Sequence, residues 1–261
     1  MKKDFLWLNL RELPYFRATL RSVEARLMSD VELPSPILDV GCGDGHFASV
    51  TYDHKVDIGI DPAMPPLLEA SQRRSYRLLV QANGVGLPFE TASFGSAISN
   101  SVLEHIPPLD AVLAEVGRVL KPGAPFAFTV PNPGYRSELS LPRFLRRIGL
   151  DGMARSYQDW FMWMSRTKNL LYEQGWKEKL ATAGFVIEQT LRYFSPSALH
   201  ALEWGHYFGA PCFLPRLTTG KWIFVPQRWN MALTDRVVRR YYAEQAPDTG
   251  TYCFYLARRV P

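Results

Sequence analysis

The chain has 261 residues and a formal net charge of +5, and 47% of its residues are hydrophobic, which is enough for one large core. No window reaches the roughly 18 apolar residues that cross a bilayer, and Asn9, Arg11 and Glu12 break the first apolar run, which argues against a signal peptide. The three cysteines, at positions 42, 212 and 253, have no paired spacing, which favours a reduced, cytoplasmic location over a disulfide framework.

The first 36 residues are predicted to form a helical segment. Apolar side chains recur there at helical spacing, at Leu13, Phe16, Leu20, Val23 and Leu27. We expect this helix to pack on the core, and covering a bound ligand is its alternative role.

A glycine-rich turn follows the first predicted strand. Residues 37–40 form a short apolar run that contains Asp39, and glycines follow at 41, 43 and 45. Glycine has no Cβ, so the backbone of such a turn can approach a ligand closely. A second predicted strand, residues 56–61, ends on Asp61, where nucleotide-binding α/β folds place a carboxylate that accepts hydrogen bonds from ribose hydroxyls.

The spacing of the glycines separates two ligand classes. A dinucleotide site uses G-x-G-x-x-G, in which the third glycine allows close packing of helix on strand. Here the pattern is G-x-G-x-G, and His46 stands at the third dinucleotide position. The turn therefore favours a nucleotide-like ligand that has no pyrophosphate.

Strands and helices alternate through the rest of the core. Strands are predicted at 77–82, 93–100, 126–130 and 185–194, helices at 109–120 and 172–183, and a last strand-like run at 251–258. The apolar positions of the helix at 109–120 form one stripe, which is typical of packing on a sheet. The alternation predicts a doubly wound parallel sheet whose ligands bind at the carboxyl ends of the strands.

Residues 37–130 resemble the methyltransferase type 11 domain of the class I S-adenosylmethionine (SAM)-dependent methyltransferases. The resemblance rests on the order of five segments: the glycine turn, the acid at Asp61, Leu87-Pro88-Phe89, Leu103-Glu104-His105 and Leu120-Lys121-Pro122-Gly123. It implies an α/β fold with a Rossmann-like sheet, mostly parallel with an antiparallel last strand. It also implies SAM as the cofactor and S-adenosyl-L-homocysteine as the product.

The resemblance assigns roles to individual residues. The Gly41–Gly45 turn is expected under the methionine moiety, with Asp39 near its amino group or, alternatively, holding amides of the loop. Asp61 is expected to accept the ribose hydroxyls, and its four acceptor sites also allow the alternative role of a helix cap. Asn83 replaces the usual Asp that accepts the adenine amino group, while Asn100 is expected beside the sulfonium or, alternatively, is a turn residue. Four neighbours are assigned to the same cofactor site: Cys42, Pro62, Gly84 and Ser101.

Three positions bear on the chemistry of the site. His105 is the candidate general base, and a structural histidine is the alternative. Ser101 stands where related O-methyltransferases carry a Glu that binds a metal, so no metal is predicted. Gly95 replaces a common Asp at a position that supports the sheet. Further candidate bases are His200, His206 and Tyr157.

Two insertions carry most of the basic and aromatic character of the chain. The predicted boundaries are 1–36 for the N-terminal segment, 37–131 for the SAM-binding core, 132–170 for the first insertion, 171–194 for a core helix and strand, 195–247 for the second insertion and 248–261 for the final strand. The insertions hold five of the seven tryptophans and 13 of the 30 Lys and Arg residues, but only six of the 25 acidic residues. We expect them to form the walls and lid of an acceptor pocket.

The combined prediction is a SAM-dependent methyltransferase that transfers a methyl group by in-line displacement to a small, apolar or lipid-like acceptor. The basic, aromatic insertions also suggest peripheral contact with an anionic membrane. A nucleic-acid methyltransferase is one alternative, based on a pI near 9.1 and the Arg-rich runs 143–147 and 236–240, although nucleic acid is the less favoured partner. A catalytically inactive SAM-binding regulator is the other, because no residue stands out as a base.

Overall fold

The protein is built around a seven-stranded mixed sheet in the strand order β3-β2-β1-β4-β5-β7-β6. The computed structural model describes residues 3–209, 212–245 and 247–261; residues 1, 2, 210, 211 and 246, which fall in the predicted N-terminal segment and second insertion, lie outside the described residues. The strands are β1 Ile37–Val40, β2 Val56–Asp61, β3 Tyr76–Gln81, β4 Ser96–Asn100, β5 Pro125–Pro131, β6 Phe185–Tyr193 and β7 Tyr252–Arg259. Strands β1 to β5 pair in parallel and the sheet becomes antiparallel near its end, which confirms the predicted fold class.

The helices that agree best with their predicted bounds are those of the core, Leu109–Val119 and Glu173–Thr182. In chain order, the helices are α1 Phe5–Leu10, α2 Tyr15–Ser29, α3 His46–Thr51, α4 Met64–Arg73, α5 Leu109–Val119, α6 Gly134–Ser137, α7 Ser140–Arg147, α8 Asp151–Met164, α9 Glu173–Thr182, α10 Pro196–Phe208, α11 Phe213–Thr219 and α12 Arg228–Ala243. The N-terminal segment forms two helices rather than one. Pro14 lies between them, and a proline has no N–H with which to continue the hydrogen bonds of a preceding helix.

The central strands are buried along their whole length. Every residue of β1, β4 and β5 is buried, as is typical of parallel strands covered on both faces. Phe128 of β5 stacks on Tyr255 of β7 with ring centroids 5.0 Å apart, and Trp176 of α9 lies 5.1 Å from Phe128. The apolar core that these rings extend holds the carboxyl ends of the strands in fixed positions.

The chain divides into two compact units. The sheet unit comprises residues 27–133, 166–191 and 253–261, and the helical unit comprises residues 1–26, 134–165 and 192–252. The helical unit therefore contains most of the predicted N-terminal segment and most of both predicted insertions. Among the described residues, no helix is both long enough and apolar enough to cross a membrane.

The helical unit has its own close packing. Phe16 of α2 lies against Gly205 of α10, where an added Cβ would come within 2.7 Å of the Phe16 Cγ. Arg239 of α12 donates hydrogen bonds to the carboxylates of Asp4 and Asp235, which ties α12 to the start of α1. Gly205 is thus a packing requirement, because any larger side chain would separate α10 from α2.

Candidate functional site

The candidate site lies where the strand order of the sheet unit reverses. Strand β1 pairs with β2 on one side and with β4 on the other, with Val40 opposite Ile60 and Asp39 opposite Ile98. In doubly wound sheets ligands bind outside the carboxyl ends of the strands at such a reversal. The residues that follow β1, β2, β3 and β4 are the ones that the sequence singles out.

The three glycines of the turn are required for three different reasons. All have positive φ, which glycine adopts without strain. A Cβ on Gly41 would clash with Val102, coming within 2.7 Å of its Cγ2, and one on Gly45 would lie 3.1 Å from Ala70 of α4. A Cβ on Gly43 would meet nothing within 4 Å. Gly43 alone of the three therefore borders open space, in which a ligand can approach the backbone.

Asp61 connects the glycine turn to the start of α4. Its Oδ2 accepts a hydrogen bond from the Gly43 amide at 3.2 Å, and its Oδ1 accepts one from the Ala63 amide at 2.9 Å. A carboxylate has about four acceptor sites, so two sites remain for ribose hydroxyls. Asp61 thus connects the glycine turn to Ala63, the N-cap of α4, and its role as acceptor of ribose hydroxyls stays a prediction.

Asp39 is buried beneath the turn, and a tyrosine is its hydrogen-bond partner. The Tyr76 hydroxyl donates to Asp39 Oδ2 at 2.6 Å, and Gly59 makes room for this tyrosine, because a Cβ there would lie 2.8 Å from its ring. Burial raises the pKa of Asp39 to about 7; the Tyr76 hydrogen bond lowers it, and the nearby Asp61 raises it. This partner is neither of the two predicted for Asp39, and whether Asp39 contacts a ligand stays a prediction.

The Cys42 thiol has no catalytic character. It is buried, and burial together with the nearby carboxylates of Asp39 and Asp61 raises its pKa well above the ordinary value. The thiol therefore stays protonated at neutral pH. The amide of Cys42 donates to the Ile60 carbonyl at 2.9 Å, as does the amide of Gly41, so this residue fixes the turn through its backbone.

The segment after β3 presents Asn83 at the surface. Asn83 Oδ1 lies 3.4 Å from the Val85 amide, a long and weak contact that leaves the side-chain amide able to bind another group. A Cβ on Gly84 would lie 3.2 Å from Val112 of α5, so Gly84 allows this segment to approach the helix. Pro62 is exposed at the end of β2, and its carbonyl accepts a hydrogen bond from Gln81 at 3.0 Å.

Helix α5 holds the Leu87-Pro88-Phe89 segment in place. Arg118 donates to the carbonyls of Phe89 and Leu87 at 2.8 and 3.0 Å, and Glu115 Oε2 accepts from the Leu87 amide at 2.8 Å. The hydrogen bonds from Arg118 lower the pKa of Glu115. These two residues were not predicted, although their spacing of three on a helix is a signal for an ion pair.

The turn after β4 is held by Thr129 of β5. The Thr129 hydroxyl donates to Asn100 Oδ1 at 2.8 Å, and the Ser101 amide lies 3.1 Å from both the hydroxyl oxygen and the carbonyl of Thr129. Ser101 has a φ of 50°, a left-handed conformation that non-glycine residues seldom adopt, which aims the chain toward Val102 and the glycine turn. Asn100, the last residue of β4, is buried in this arrangement, and its place beside the sulfonium stays a prediction.

His105 ends a short 3₁₀ turn, Leu103–His105, and is exposed. Its Nδ1 donates to the Arg166 carbonyl at 3.0 Å, because a carbonyl can only accept, and its Nε2 lies 3.7 Å from Glu104 Oε1. Asn169, which the sequence analysis missed, donates to the carbonyls of Leu103 and Ile106 at 2.8 and 2.6 Å. The 3₁₀ turn is therefore anchored from the segment that precedes α9.

The other candidate bases belong to the helical unit and make structural contacts there. His200 Nε2 lies 2.8 Å from the Glu138 carbonyl. His206 Nδ1 lies 2.9 Å from the Leu202 carbonyl, and burial lowers the pKa of this histidine. Burial, together with the hydrogen bond from Tyr207, raises the pKa of Tyr157 far above its ordinary value. Within the described ranges, no three His, Cys, Asp or Glu side chains are grouped as a metal site requires.

Comparison with known proteins points to one family. A family model described as a methyltransferase domain matches residues 38–128. Malonyl-[acyl-carrier protein] O-methyltransferase of Pseudescherichia vulneris is 31% identical over 107 residues, which are 41% of this chain and 43% of the relative. Botryococcene C-methyltransferase of Botryococcus braunii is 34% identical over 122 residues, which are 43% of this chain and 32% of the relative. The chain thus matches less than half the length of these curated relatives.

A solved structure extends the likeness beyond the matched segment. Phosphoethanolamine N-methyltransferase 2 of Haemonchus contortus, in complex with phosphomonomethylethanolamine and S-adenosylhomocysteine, covers 93% of this chain and 53% of its own with a TM-score of 0.58. The sequence identity is 18%, so this likeness concerns the fold. The family match and the fold together identify residues 38–128 as a methyltransferase domain of the class I, SAM-dependent family.

Proposed function

We propose that the rim of the sheet unit binds SAM and that the protein transfers its methyl group to a small, apolar or lipid-like acceptor. The observation that carries the proposal is the open space at Gly43, bordered by an Asp61 carboxylate that has acceptor sites left for two hydroxyls. When bound, SAM supplies an electrophilic methyl group on a sulfonium. The remaining task of the protein is to hold donor and acceptor in line.

Each residue of the rim has a proposed part in holding the cofactor. The backbone at Gly41–Gly43, with Cys42, lies under the methionine moiety, and Asp61 with the adjoining Pro62 receives the ribose. Asn83 accepts the adenine amino group, with Gly84 allowing the close approach of this segment. Asn100 and Ser101, fixed by Thr129, border the place of methyl transfer. Asp39 acts from below the turn, by fixing its position through Tyr76.

The transfer does not require a strong base. Holding two reactants in contact supplies about 7–11 kcal/mol of the barrier, whereas a general base adds about 10²- to 10⁴-fold. We propose the Nε2 atom of His105 as the proton acceptor for acceptors that ionise with difficulty, because its 3₁₀ turn follows the rim residues Asn100 and Ser101 directly. Loss of His105 is therefore expected to lower kcat and to leave SAM affinity unchanged.

The proposed acceptor class rests on the relatives and on the surface of the helical unit. The two curated relatives are named for a malonyl-acyl-carrier acceptor and for botryococcene. The helical unit exposes large apolar side chains, among them Phe144, Trp163, Phe208, Leu214, Leu217, Phe224 and Trp229. Such side chains, together with Arg143, Arg146 and Arg147 of α7, suit peripheral contact with an anionic membrane. The location that we propose is cytoplasmic, where the three free cysteines stay reduced.

Calorimetric titration with SAM and with S-adenosylhomocysteine tests the cofactor proposal. We expect micromolar binding that Asp61→Ala abolishes, that Asp61→Asn weakens, and that Asp30→Ala leaves unchanged, because Asp30 is an exposed carboxylate in the segment that precedes β1 and not in a loop that follows a strand. Retention of SAM binding by the Asp61→Ala variant would rule out the proposed SAM site. Binding without turnover on any lipid, phenol or acyl acceptor would favour a SAM-binding regulator.

Two further assays separate the proposed partners. Sedimentation with phosphatidylglycerol vesicles is expected at low salt and to weaken at high salt, because charge screening weakens surface attraction. A gel-shift assay at about 50 mM salt with a short RNA or DNA is expected to show no complex, since nucleic-acid binders keep high affinity at such low salt. A salt-sensitive shift would instead support the nucleic-acid alternative.

A further inference from the structure

The helical unit contains a cavity that the proposed methyl transfer does not use. Its volume is about 560 Å³, within the range of about 300–1,000 Å³ typical of small-molecule sites. The cavity lies between one face of α10 and one face of α12, and Tyr15 at the start of α2 contributes to its wall.

The wall of this cavity is apolar. Its main lining side chains are Tyr15, His200, Trp204, Leu233, Val237 and Tyr241. The polar atoms of two of them already have partners, since His200 Nε2 contacts the Glu138 carbonyl at 2.8 Å and Trp204 Nε1 donates to Ser140 Oγ at 2.9 Å. Burial raises the pKa of Tyr15. Ser197 and Thr234 also line the cavity, and the Ser197 hydroxyl already contacts Ser195 Oγ at 2.9 Å. Most of the remaining surface is apolar and offers contact to hydrocarbon.

Two of the lining residues leave their apolar side chains in water. Leu233 is 74% exposed and Val237 is 49% exposed, although both lie on the wall of the cavity. Exposed apolar area that borders a cavity is area that a bound apolar chain would remove from water. The buried neighbours Val238 and Tyr241 give this wall a fixed floor.

Positive charge follows the same edge of α12. Arg236 and Arg240 come three residues after Leu233 and Val237, and residues three apart are neighbours on a helix surface. The Arg240 guanidinium donates to the Tyr241 hydroxyl at 2.6 Å, and in the part of the chain that the structure describes no carboxylate pairs with Arg236 or Arg240. Among the described residues, no Asp, Glu, Lys or Arg lines the cavity itself. An apolar cavity with unneutralised guanidinium groups at its edge matches a ligand with a hydrocarbon chain and an anionic head.

We propose that the cavity between α10 and α12 binds the hydrocarbon chain of an anionic single-chain amphiphile, with Arg236 and Arg240 contacting its carboxylate or phosphate head. The apolar wall binds the hydrocarbon chain of the ligand, and the two guanidinium groups bind its anionic head. Such a ligand is either free in solution or a lipid whose chain leaves a membrane. This binding does not depend on SAM, so the site stands or fails separately from the proposed methyl transfer.

Titration of the full chain with dodecyl phosphate, below its micellar concentration and without SAM, tests the site. We expect saturable 1:1 binding followed by tryptophan fluorescence and calorimetry, weaker binding of decanol, and no binding of inorganic phosphate. Leu233→Asp is expected to reduce the affinity at least tenfold, because it places a carboxylate on the wall. Leu217→Asp is the matched control, since Leu217 is an exposed leucine of α11 outside the cavity, and it is expected to bind normally.

Two more variants keep the test independent of folding defects. Ala201→Trp fills the cavity from α10 and is expected to abolish binding of both dodecyl phosphate and decanol. The double variant Arg236→Gln and Arg240→Gln is expected to lower the affinity for dodecyl phosphate several-fold and to leave the affinity for decanol unchanged. Arg155→Gln is the control and is expected to bind both normally. Circular dichroism of each variant verifies that the helices are retained.

Vesicle sedimentation distinguishes a free amphiphile from a membrane lipid as the source of the bound hydrocarbon chain. Binding of the free amphiphile without sedimentation on phosphatidylcholine–phosphatidylglycerol vesicles identifies a soluble ligand, whereas sedimentation that Leu233→Asp and Ala201→Trp both abolish identifies a membrane lipid. The proposal is overturned if dodecyl phosphate does not saturate, if Ala201→Trp binds it normally, or if inorganic phosphate binds equally well. SAM titration in the same samples reports on the methyltransferase site separately.

Discussion

The sheet unit and the helical unit differ in how their side chains are used. In the sheet unit, the loops at the carboxyl ends of the strands are held by side chains that bind backbone groups, such as Thr129, Arg118 and Asn169. In the helical unit, many large apolar side chains are exposed, as Trp229 and Leu217 are, and a cavity remains open. The sheet unit therefore fixes the geometry of its loops through side chains, whereas the helical unit leaves apolar surface uncovered.

Glycine substitutions give the largest expected difference between the units. Gly41→Ala adds a Cβ that clashes with Val102 at a φ of 83°, and we expect it to lower the free energy of unfolding by about 3 kcal/mol or more. Gly149→Ala in the helical unit has a similar φ of 78° but meets no atom, so about 1 kcal/mol is expected. Urea denaturation measures both. Equal losses would show that strain alone, and not the contact with Val102, makes Gly41 necessary.

Asp39, a buried acid of the sheet unit, predicts a pH dependence of stability. The pKa of Asp39 in the folded protein is about 7, above its ordinary value of 3.8, so the folded protein holds a proton that the unfolded chain releases between these values. The stabilisation by this group is complete below about pH 4 and is lost as the pH rises to about 7, about 4 kcal/mol in all, since one pKa unit corresponds to about 1.4 kcal/mol. Asp39→Asn should remove this decline while keeping an acceptor for Tyr76.

Urea denaturation at several pH values measures this effect. Asp57→Asn is a useful comparison, because Asp57 is a partly exposed carboxylate of the same sheet. A wild-type stability that is flat from pH 4 to pH 7 would contradict the raised pKa of Asp39. A decline that persists in Asp39→Asn would assign it to another group.

Glu203, a buried acid of the helical unit, is held differently and sharpens the comparison. Glu203 accepts hydrogen bonds from the Ser140 amide and hydroxyl, both at 2.6 Å, and from the Leu141 amide at 3.2 Å, so it caps the start of α7. Glu203→Gln replaces one acceptor with a donor and is expected to lower stability by about 2 kcal/mol. Glu138→Gln, at a half-exposed position, should change it by less than about 0.5 kcal/mol. Hydrogen exchange of the Ser140 and Leu141 amides should increase only in Glu203→Gln; unchanged exchange would refute the cap.

The smallest expected change in stability comes with a large change in binding. Gly43→Ala adds a Cβ that meets nothing in the protein, so we expect a loss of only about 1 kcal/mol, from its φ of 53°. The same Cβ would enter the space proposed for SAM, and the affinity for SAM should fall at least tenfold. Calorimetry and denaturation of the same sample separate the two effects. Unchanged affinity would place the cofactor away from Gly43.

Much of the sheet unit could be predicted from sequence because its signals are local. Strand β2 forms over the predicted residues Val56–Asp61, and α5 ends one residue before the predicted Leu120. Burial on both faces makes such strands continuously apolar, and packing on one face gives such helices a regular stripe. One local signal was missed, since Pro14 divides the predicted N-terminal helix.

The contacts that complete the candidate site could not be predicted, because their partners are distant in sequence. Tyr76 binds Asp39 across 37 residues, Thr129 binds Asn100 across 29, and Asn169 binds Leu103 across 66. Gly95 is a similar case: a Cβ there would lie 2.6 Å from the Ser35 carbonyl, so close approach of backbone explains why this position lacks the side chain common in the family. Such pairs depend on which strands become neighbours.

The sequence by itself determined the order of strands and helices, the glycine turn with Asp61, and the family. These features depend on residue type and spacing within short stretches, where apolar period and glycine conformation act directly. Only the tertiary structure decided that Gly43, alone of the three turn glycines, borders open space, that Asp39 is buried against Tyr76, and that a cavity lies between α10 and α12. The reason is physical: burial, desolvation and steric contact belong to pairs of residues that folding brings together, and no single stretch of chain contains them.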